Sequence, residues 1–563
     1  MPFEKFMQEC KYLLYEFDED VKLETPPAEI NADLSYPCFS LAKQQKNNPN
    51  KIATELEEKI RAKIKKGSLV KDVRAMGPYL NFYVNNEKFS EMLVKDVLKF
   101  GKKYGKGGKQ KEKIMIEYVA PNTNKPLHLG HIRNMLLGES LARIFEFLGC
   151  KVIRVNLNND RGVHICKAML AYKLWGKNKT PKSEHKKSDH FVGDFYVLYS
   201  KNVAANPELE SEIRIMLKKW EDGDKKTRKL WKIMNKWALD GFEETYKKFG
   251  IKFDEVFNES EHYKEGKNII INGLKDDIFE KDENGNIIAK LEQFGLPNKV
   301  LLRADGTSVY MTQDINLAKL KYEKYKMDRS IYVVGSEQTL HFKQLFKILQ
   351  LLKFKNALGL YHLAYGMVYL PEGRMKSREG RVVDADNLLD ELIGLSKAEL
   401  KKRYKLSKSE FEKRAKAIAI GALFYFILKF DSLKDFIYNP EESLSFEGDT
   451  GPYLQYTYAR ANSILKKSKK KPKIGKLTEE NEFKIAKKLS QFSETIKRAA
   501  HDYKPHYVAN YLFELATLFN EYYHATRVIS SENEPARLAL VKSVMIVLEN
   551  GLRLLGIEAP KEM

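Results

Sequence analysis

Cysteine is scarce in this chain: four in 563 residues, Cys10, Cys38, Cys150 and Cys166, and none forms a CxxC pair. That leaves no basis for a zinc ribbon or a disulfide framework. No run of 18 or more apolar residues occurs, so no membrane span is expected. The opening MPFEKFMQECKYLLYEF sets acids among its apolar residues and lacks the apolar core of a secretion signal. A cytoplasmic protein is the expectation. No internal repeat is visible, which sets aside repeat architectures.

What is present is length, apolar mass and positive charge. A chain of 563 residues is too long for one core and predicts three or four domains. The hydrophobic fraction is 43%, enough for sizeable cores. Lys+Arg is 98 against Asp+Glu 76, a formal charge of +22. Such an excess suits a polyanionic partner, because each phosphate neutralised releases counterions. A lysine-rich, solvated surface gives the same composition, and charge alone does not separate the two.

Along the chain, residues 1–108 read as a small mixed domain. NPNKIATELEEKIRAKI places Ile52, Leu56, Ile60 and Ile64 on one helical face, with Asn50 as a possible cap, and GPYLNFYVN alternates like a strand. GKKYGKGGKQKEK, 101–113, is a Gly/Lys linker. A second, α/β domain is expected over 112–430. In it, IMIEYVA is a strand, IRNMLLGESLARIFEFLG a helix ending at Gly149, and KVIRVNLNN a second strand. Strand, loop, helix and strand make a right-handed βαβ unit of a parallel, Rossmann-like sheet. Residues 175 to about 295 read as an insertion, polar and largely helical, rich in lysine and tryptophan. NKVLLRADGTSVYMT carries a hairpin signal at ADGT. From about 390 the chain reads as helical, with an all-α third domain over 431–563. The fold class is therefore multidomain α/β.

The stretch NTNKPLHLGHIRN, 122–134, lies between the first strand and the helix. Free N–H groups and the dipole at a helix N-terminus favour a phosphate, and ligands of doubly wound sheets bind at the carboxyl ends of the strands. Gly130 leaves room for an adenine or ribose against the backbone. His128 and His131 are three apart, so both imidazoles project from one side of the first turn. Two ordinary surface histidines are the bland alternative, and the strand-loop-helix setting disfavours it.

PNTNKPLHLGHIRNMLLG resembles the HIGH signature of class I aminoacyl-tRNA synthetases, most closely that of arginyl-tRNA synthetases, and in form the archaeal ones. The resemblance extends to IEYVAPN, YMTQDI (310–315), VVGSEQTLHF (333–342), RMKSREG (374–380), FEGDTGPYLQYTYAR (446–460) and the ending LRLLGIEAPKEM. It implies attack by the arginine carboxylate on the α-phosphorus of ATP, then transfer of arginine to tRNA. ATP would bring Mg²⁺ with it, and no metal site built from the protein is expected. The partners implied are tRNA(Arg), L-arginine and ATP, and the chain is expected to be a monomer.

The resemblance also assigns residues. A guanidinium presents five donors in a plane, which calls for acceptors in fixed positions. Tyr310 and Asp314, four apart on a helix, match the family's YxTxD and would bind it. Glu117, near the end of the first strand, is expected in the same pocket, and Asn122 and Gln338 match positions that hold substrate polar groups in the family. In NNDRGVHI, 158–165, Asp160 and Gly162 are kept from a GDxGxQ pattern, whereas Asn159 and His164 depart from it. Asp160 is assigned to arginine, and His164 either touches substrate or packs. The phosphate loop also departs from the class pattern. With Met375 aligned to the methionine of KMSKS, Ser377 stands where the second lysine belongs. Lys376 and Arg378 still bring charge, and Lys125, three residues before His128, is expected to carry part of that lysine's work.

The helical C-terminal region resembles an anticodon-binding domain, in which aromatic rings stack on unstacked bases. Tyr456 and Arg460, Tyr523 and Met563 match positions at the anticodon. The first domain resembles the family's module at the tRNA elbow, with Asn81 and Tyr83 as contacts. Nucleotidylyltransferases share the HxGH helix start but lack such a helical region. A catalytically silent RNA-binding protein is disfavoured by the intact His128, Gly130, His131, Tyr310 and Asp314.

Overall fold

A computed structural model of the chain describes residues 2–27, 29–263, 266–369, 371, 383–403 and 406–563. Met375, Lys376, Ser377 and Arg378 lie outside the described residues.

The first domain is an antiparallel sheet in which the Tyr79–Val84 strand lies between Leu34–Pro37 and Val70–Met76. Helices Pro2–Leu14, Pro49–Lys63 and Asn86–Phe100 cover it. The expected apolar stripe is there: Ile52, Leu56 and Ile60 are buried. The cap, however, is Asn48, whose side chain accepts from the Asn50 N–H. Pro49 at the first helical position starts the helix two residues ahead of the expected site.

The expected Gly/Lys linker is held in place by one aromatic residue. Tyr104 is buried, stacks on Phe492 and donates to the Leu489 carbonyl of the C-terminal region.

The main sheet is wholly parallel, in the order Leu360–Tyr365, Arg329–Gly335, Lys113–Glu117, Lys151–Asn158, Glu255–Asn258. From the central Lys113–Glu117 strand the chain builds outward to one side, then returns to build the other. The strand order therefore reverses at Lys113–Glu117, where open α/β sheets bind ligands.

The expected insertion is not continuous. Helices Ser188–Asn202, Glu208–Glu221 and Lys225–Phe249 form a helical layer, the chain then re-enters the main sheet at Glu255–Asn258, and a small antiparallel sheet follows at Glu280–Lys281, Ile287–Ala289 and Lys299–Leu302. A four-residue edge strand is too short for its alternation to stand out from polar surroundings. All four tryptophans, Trp175, Trp220, Trp231 and Trp237, lie in or beside the helical layer. ADGT does form a short hairpin turn, with the Gly306 N–H donating to Arg303 O, the Arg303 N–H to Thr307 O and Leu302 paired antiparallel with Ser308, but the pairing stops at that single bridge because the chain enters the Tyr310–Tyr325 helix.

The C-terminal helices Gly451–Lys467, Glu480–Ser490, Phe492–His501, His506–Ala525 and Glu534–Leu554 pack into a bundle whose apolar core is continuous with that of the catalytic and first domains. Among the described residues no helix is long and apolar enough to cross a membrane.

Candidate active site

The first strand ends in strained backbone. Val119 and Ala120 have φ of 78° and 47°, and a β-branched residue in the left-handed region is a true outlier. Two asparagines hold the strain. Asn134 Oδ1 accepts from the Val119 N–H at 2.6 Å, and Asn156 Oδ1 from the Ala120 N–H at 3.1 Å. Past this turn, Asn122 pairs with Asn159 as a bridge to the second strand, and the signature follows.

His128 is the N-cap of the Leu129–Phe147 helix. Its Nδ1 accepts from the Gly130 N–H at 3.2 Å, and His131 Nδ1 accepts from the His128 N–H at 3.1 Å. The proton of each neutral ring is therefore on Nε2, which is free to donate to a ligand. The rings lie 3.9 Å apart. Burial, with His128 and Lys125 nearby, holds His131 well below the ordinary histidine value; burial and Lys125 hold His128 down at about 3. Both are neutral at physiological pH. A Cβ on Gly130 would sit 3.1 Å from the His128 ring, so glycine here also protects the ring's position.

Sequence reasoning missed the residue that pins this helix. Arg133 is 1% exposed and donates to five carbonyls, those of Gly366, Met367, Asp431, Ser432 and Lys434. Burial lowers its pKa to about 10. An arginine among apolar residues in the first turns of the helix was the available signal.

On the arginine side, Tyr310 opens the Tyr310–Tyr325 helix and is 72% exposed, while Asp314, one turn on, lies 2.7 Å from His341 Nε2. Gln338 is exposed at the start of the Thr339–Leu351 helix. Glu259, which sequence reasoning missed, faces the same place. Burial raises its pKa to about 7, Arg161 opposing the rise and Asp160 and Asp314 adding to it. It opens a short helix after a four-residue strand, with no pattern of its own to announce it.

Two assignments made from sequence find their side chains already engaged. Glu117 is buried in an ion pair with Lys321, a residue two turns beyond Asp314 on the same helix. Asp160 is 1% exposed, and its oxygens accept from the Ser260 N–H at 2.8 Å, Ser260 Oγ at 2.7 Å and Asn235 Nδ2 at 3.2 Å; Trp231 Nε1 donates to its carbonyl at 2.6 Å. Asp160 joins the insertion to the sheet and offers no open carboxylate to a substrate. The open alternatives for His164 meet one packing contact: its Nδ1 lies 3.3 Å from Tyr196 Oη.

In the C-terminal bundle Arg460 lies between two rings, 4.8 Å from the centroid of Tyr456 and 4.9 Å from that of Tyr523, and donates to Asn520 Oδ1 at 2.6 Å. Beside them is a cavity of about 770 Å³ lined by Phe446, Tyr453, Tyr456, Arg460 and His524, among others. Met563 is 7% exposed and belongs to the core. Asn81 is a correction: it is fully buried, bonded to Ser35 Oγ in the central strand of the first domain, and not on an RNA-facing surface. Tyr83, two residues on, is half-buried with Arg74 over its ring.

Three family models match the chain: an arginyl-tRNA synthetase N-terminal domain over 4–84, a class I (R) tRNA synthetase catalytic domain over 93–440, and a DALR anticodon-binding domain over 454–563. The arginine–tRNA ligase of Treponema denticola is 46% identical, with 95% of this chain and 94% of the relative covered; that of Borrelia duttonii is 43% identical over 97% and 95%. Among solved structures, the arginyl-tRNA synthetase of Thermus thermophilus superposes with a TM-score of 0.83 at 27% identity, covering 99% of each chain. That of Plasmodium falciparum, at 0.78 and 21%, covers 100% of this chain and 98% of its own and shares the fold. The relatives matched at 41–46% are bacterial, so the archaeal form expected from sequence finds no support in them.

Proposed function

The chain belongs to the class I arginyl-tRNA synthetases and is an arginine–tRNA ligase, and from that premise we propose how its residues divide the work. The observation that carries the proposal is the pair of neutral, backbone-locked imidazoles at the helix start. Their Nε2–H groups face the ATP phosphates and stabilise the charge that shifts as the arginine carboxylate attacks the α-phosphorus and pyrophosphate departs. The nucleophile is already ionised, so no general base is required, and positioning supplies the rest. Mg²⁺ accompanies the ATP.

Tyr310 and Asp314 receive the substrate guanidinium, with Glu259 as a further carboxylate. A bound cation favours the ionised form of Glu259. Asn122 and Gln338 lie around the rest of the amino acid. Glu117 acts through its pair with Lys321 and sets that part of the pocket wall, as Asp160 sets another. Lys125 supplies the phosphate charge that Ser377 cannot, beside Lys376 and Arg378. The Tyr456–Arg460–Tyr523 stack receives anticodon bases, Met563 supports it from the core side, and Tyr83 meets the tRNA elbow. One chain carries every part, consistent with a monomer working in the cytoplasm, and arginine activation waits for tRNA.

The test is amino-acid-dependent ATP–pyrophosphate exchange over all twenty amino acids, with and without tRNA. Exchange with arginine alone, and only with tRNA present, is the expected result; exchange with another amino acid removes Tyr310 and Asp314 from their roles. Lys125→Ala is expected to slow adenylation by at least about tenfold, or ~1.4 kcal/mol. A rate within about twofold of the parent would sink the role given to Lys125.

A further inference from the structure

Two lysines, a histidine and three aspartates gather where the Ser188–Asn202 helix meets the start of the Ala385–Arg403 helix. Lys187 Nζ lies 2.9 Å from Asp189 Oδ2, 2.7 Å from Thr245 Oγ1 and 2.8 Å from Asp386 Oδ2. Lys248 Nζ lies 2.8 Å from the other Asp386 oxygen. His190 Nε2 lies 3.1 Å from Asp384 Oδ2 and 3.7 Å from Asp386 Oδ2. Asp189 is fully buried and Asp386 is 4% exposed.

Burial opposes a charge on His190, but the carboxylates of Asp384 and Asp386 outweigh it and hold its pKa up at about 9. Three cations then balance three carboxylates. Atoms of Asp189, His190 and Asp386 lie close enough to hold a metal ion, yet the lysine Nζ atoms already sit on those carboxylates. The cluster has its own cations, and a metal would displace them.

The cluster lies behind the ATP signature and is joined to it by backbone. The Leu129 N–H donates to Val383 O and the Ala385 N–H to Leu127 O, both at 3.0 Å, and His128 pairs with Asp384. The same Ser188–Asn202 helix also presses directly on the signature segment. A Cβ on Gly193 would lie 2.7 Å from Pro126 Cδ and 3.5 Å from Lys125 Cα. One helix of the insertion thus reaches the signature twice, once by contact at Gly193 and once through the ion cluster and the paired backbone.

Buried ion pairs are poor sources of stability, since well-packed apolar groups of the same size often do as well. A use in fixing geometry is the better account here, because misplacing reacting groups by about 1 Å costs about a hundredfold in rate. We propose that Gly193 and the Lys187–His190–Lys248 and Asp189–Asp384–Asp386 cluster are positioning residues for adenylation. Through them the insertion sets Lys125, His128 and His131 against ATP without touching substrate. This rests on the reading of residues 125–131 as the ATP-phosphate site.

The experiment is pyrophosphate exchange in the full chain with tRNA present and ATP and arginine varied separately, alongside thermal unfolding, for Gly193→Ala, Lys248→Met and His190→Gln. Gly193→Ala is the sharpest variant. In a helix interior alanine is favoured over glycine, so its fold is kept while its Cβ pushes on the rigid proline ring. The expected result is an ATP KM raised, or kcat lowered, by about tenfold, with arginine KM within about twofold and Tm held. In the parent, ATP KM is expected to rise above pH 9 as His190 loses its proton between Asp384 and Asp386, with Lys187, Lys248, Asp189 and Thr245 facing the same cluster. His190→Gln should remove that limb.

A fall in Tm with kcat and both KM values unchanged would make the cluster a plain brace and overturn the proposal. So would arginine KM rising in step with ATP KM. Parent-like exchange in Lys125→Ala and in His131→Ala would instead sink the ATP-site reading on which the proposal rests.

Discussion

The signature segment and the Arg460 stack are built in opposite ways. Just before the signature two residues are held in left-handed backbone, and within it each imidazole is locked by a main-chain N–H and Arg133 is enclosed by five carbonyls. At the stack, side chains on regular helices present ring faces: Tyr523 is 41% exposed, and a cavity opens beside Tyr456. The difference follows from the task. Stabilising charge that moves during a reaction requires donors fixed beforehand, since any reorganisation adds to the barrier. Reading unstacked bases requires reachable π-faces, and a guanidinium between two rings holds them apart without covering them.

The comparison can be broken first at its most buried point. Arg133→Met is expected to cost about 3–5 kcal/mol in denaturant unfolding, because it strands carbonyls built to receive a cation. A loss below about 1 kcal/mol would mean the helix is pinned elsewhere. At the open end, Tyr456→Ala should weaken tRNA binding by about 1–3 kcal/mol while leaving the unfolding curve nearly in place; equal loss of binding and stability would make Tyr456 a packing residue. Thr450 caps the same helix by accepting from the Tyr453 N–H, and Thr450→Ala should lower stability by about 1 kcal/mol, read from the shift in denaturation midpoint.

The smallest expected effect is none. His128 and His131 have lowered pKa values, so the stability they contribute is complete above the unfolded value near 6.5 and fades as pH falls below it, for His128 toward about 3. His190 has the opposite sign: its contribution is complete below pH 6.5 and is lost as pH rises through about 9. Between pH 6.5 and 8 the signature histidines stay neutral, and single-turnover adenylation should be flat. An inflection near pH 6.5 that disappears in His128→Asn would show that this imidazole does titrate.

Legibility in the sequence followed the range of the interactions involved. The parallel sheet, the signature helix and its Gly149 terminus, the helical third region and the i, i+4 pairing of Tyr310 with Asp314 all rest on local periodicity, and they were readable. What was not readable depends on partners far along the chain. Lys321 takes up Glu117 across 204 residues, and Ser260 and Asn235 take up Asp160 across 100 and 75. None of these three partners carries a motif. Asn81 sits in a strand whose neighbours Leu80 and Phe82 are also buried, so alternation could not say that it faces inward. Asn48 displaced Asn50 as cap because a proline fixed the helix start.

The confinement of all four tryptophans to residues 175–237 gives the protein a local optical probe. Excited at wavelengths that tyrosine does not absorb, the whole chain emits only from the insertion. Trp231 is bonded to the Asp160 carbonyl, and Trp220 stands 5.3 Å from it. A shift in intrinsic emission when arginine or ATP is added therefore reports the wall between insertion and pocket, with no label attached.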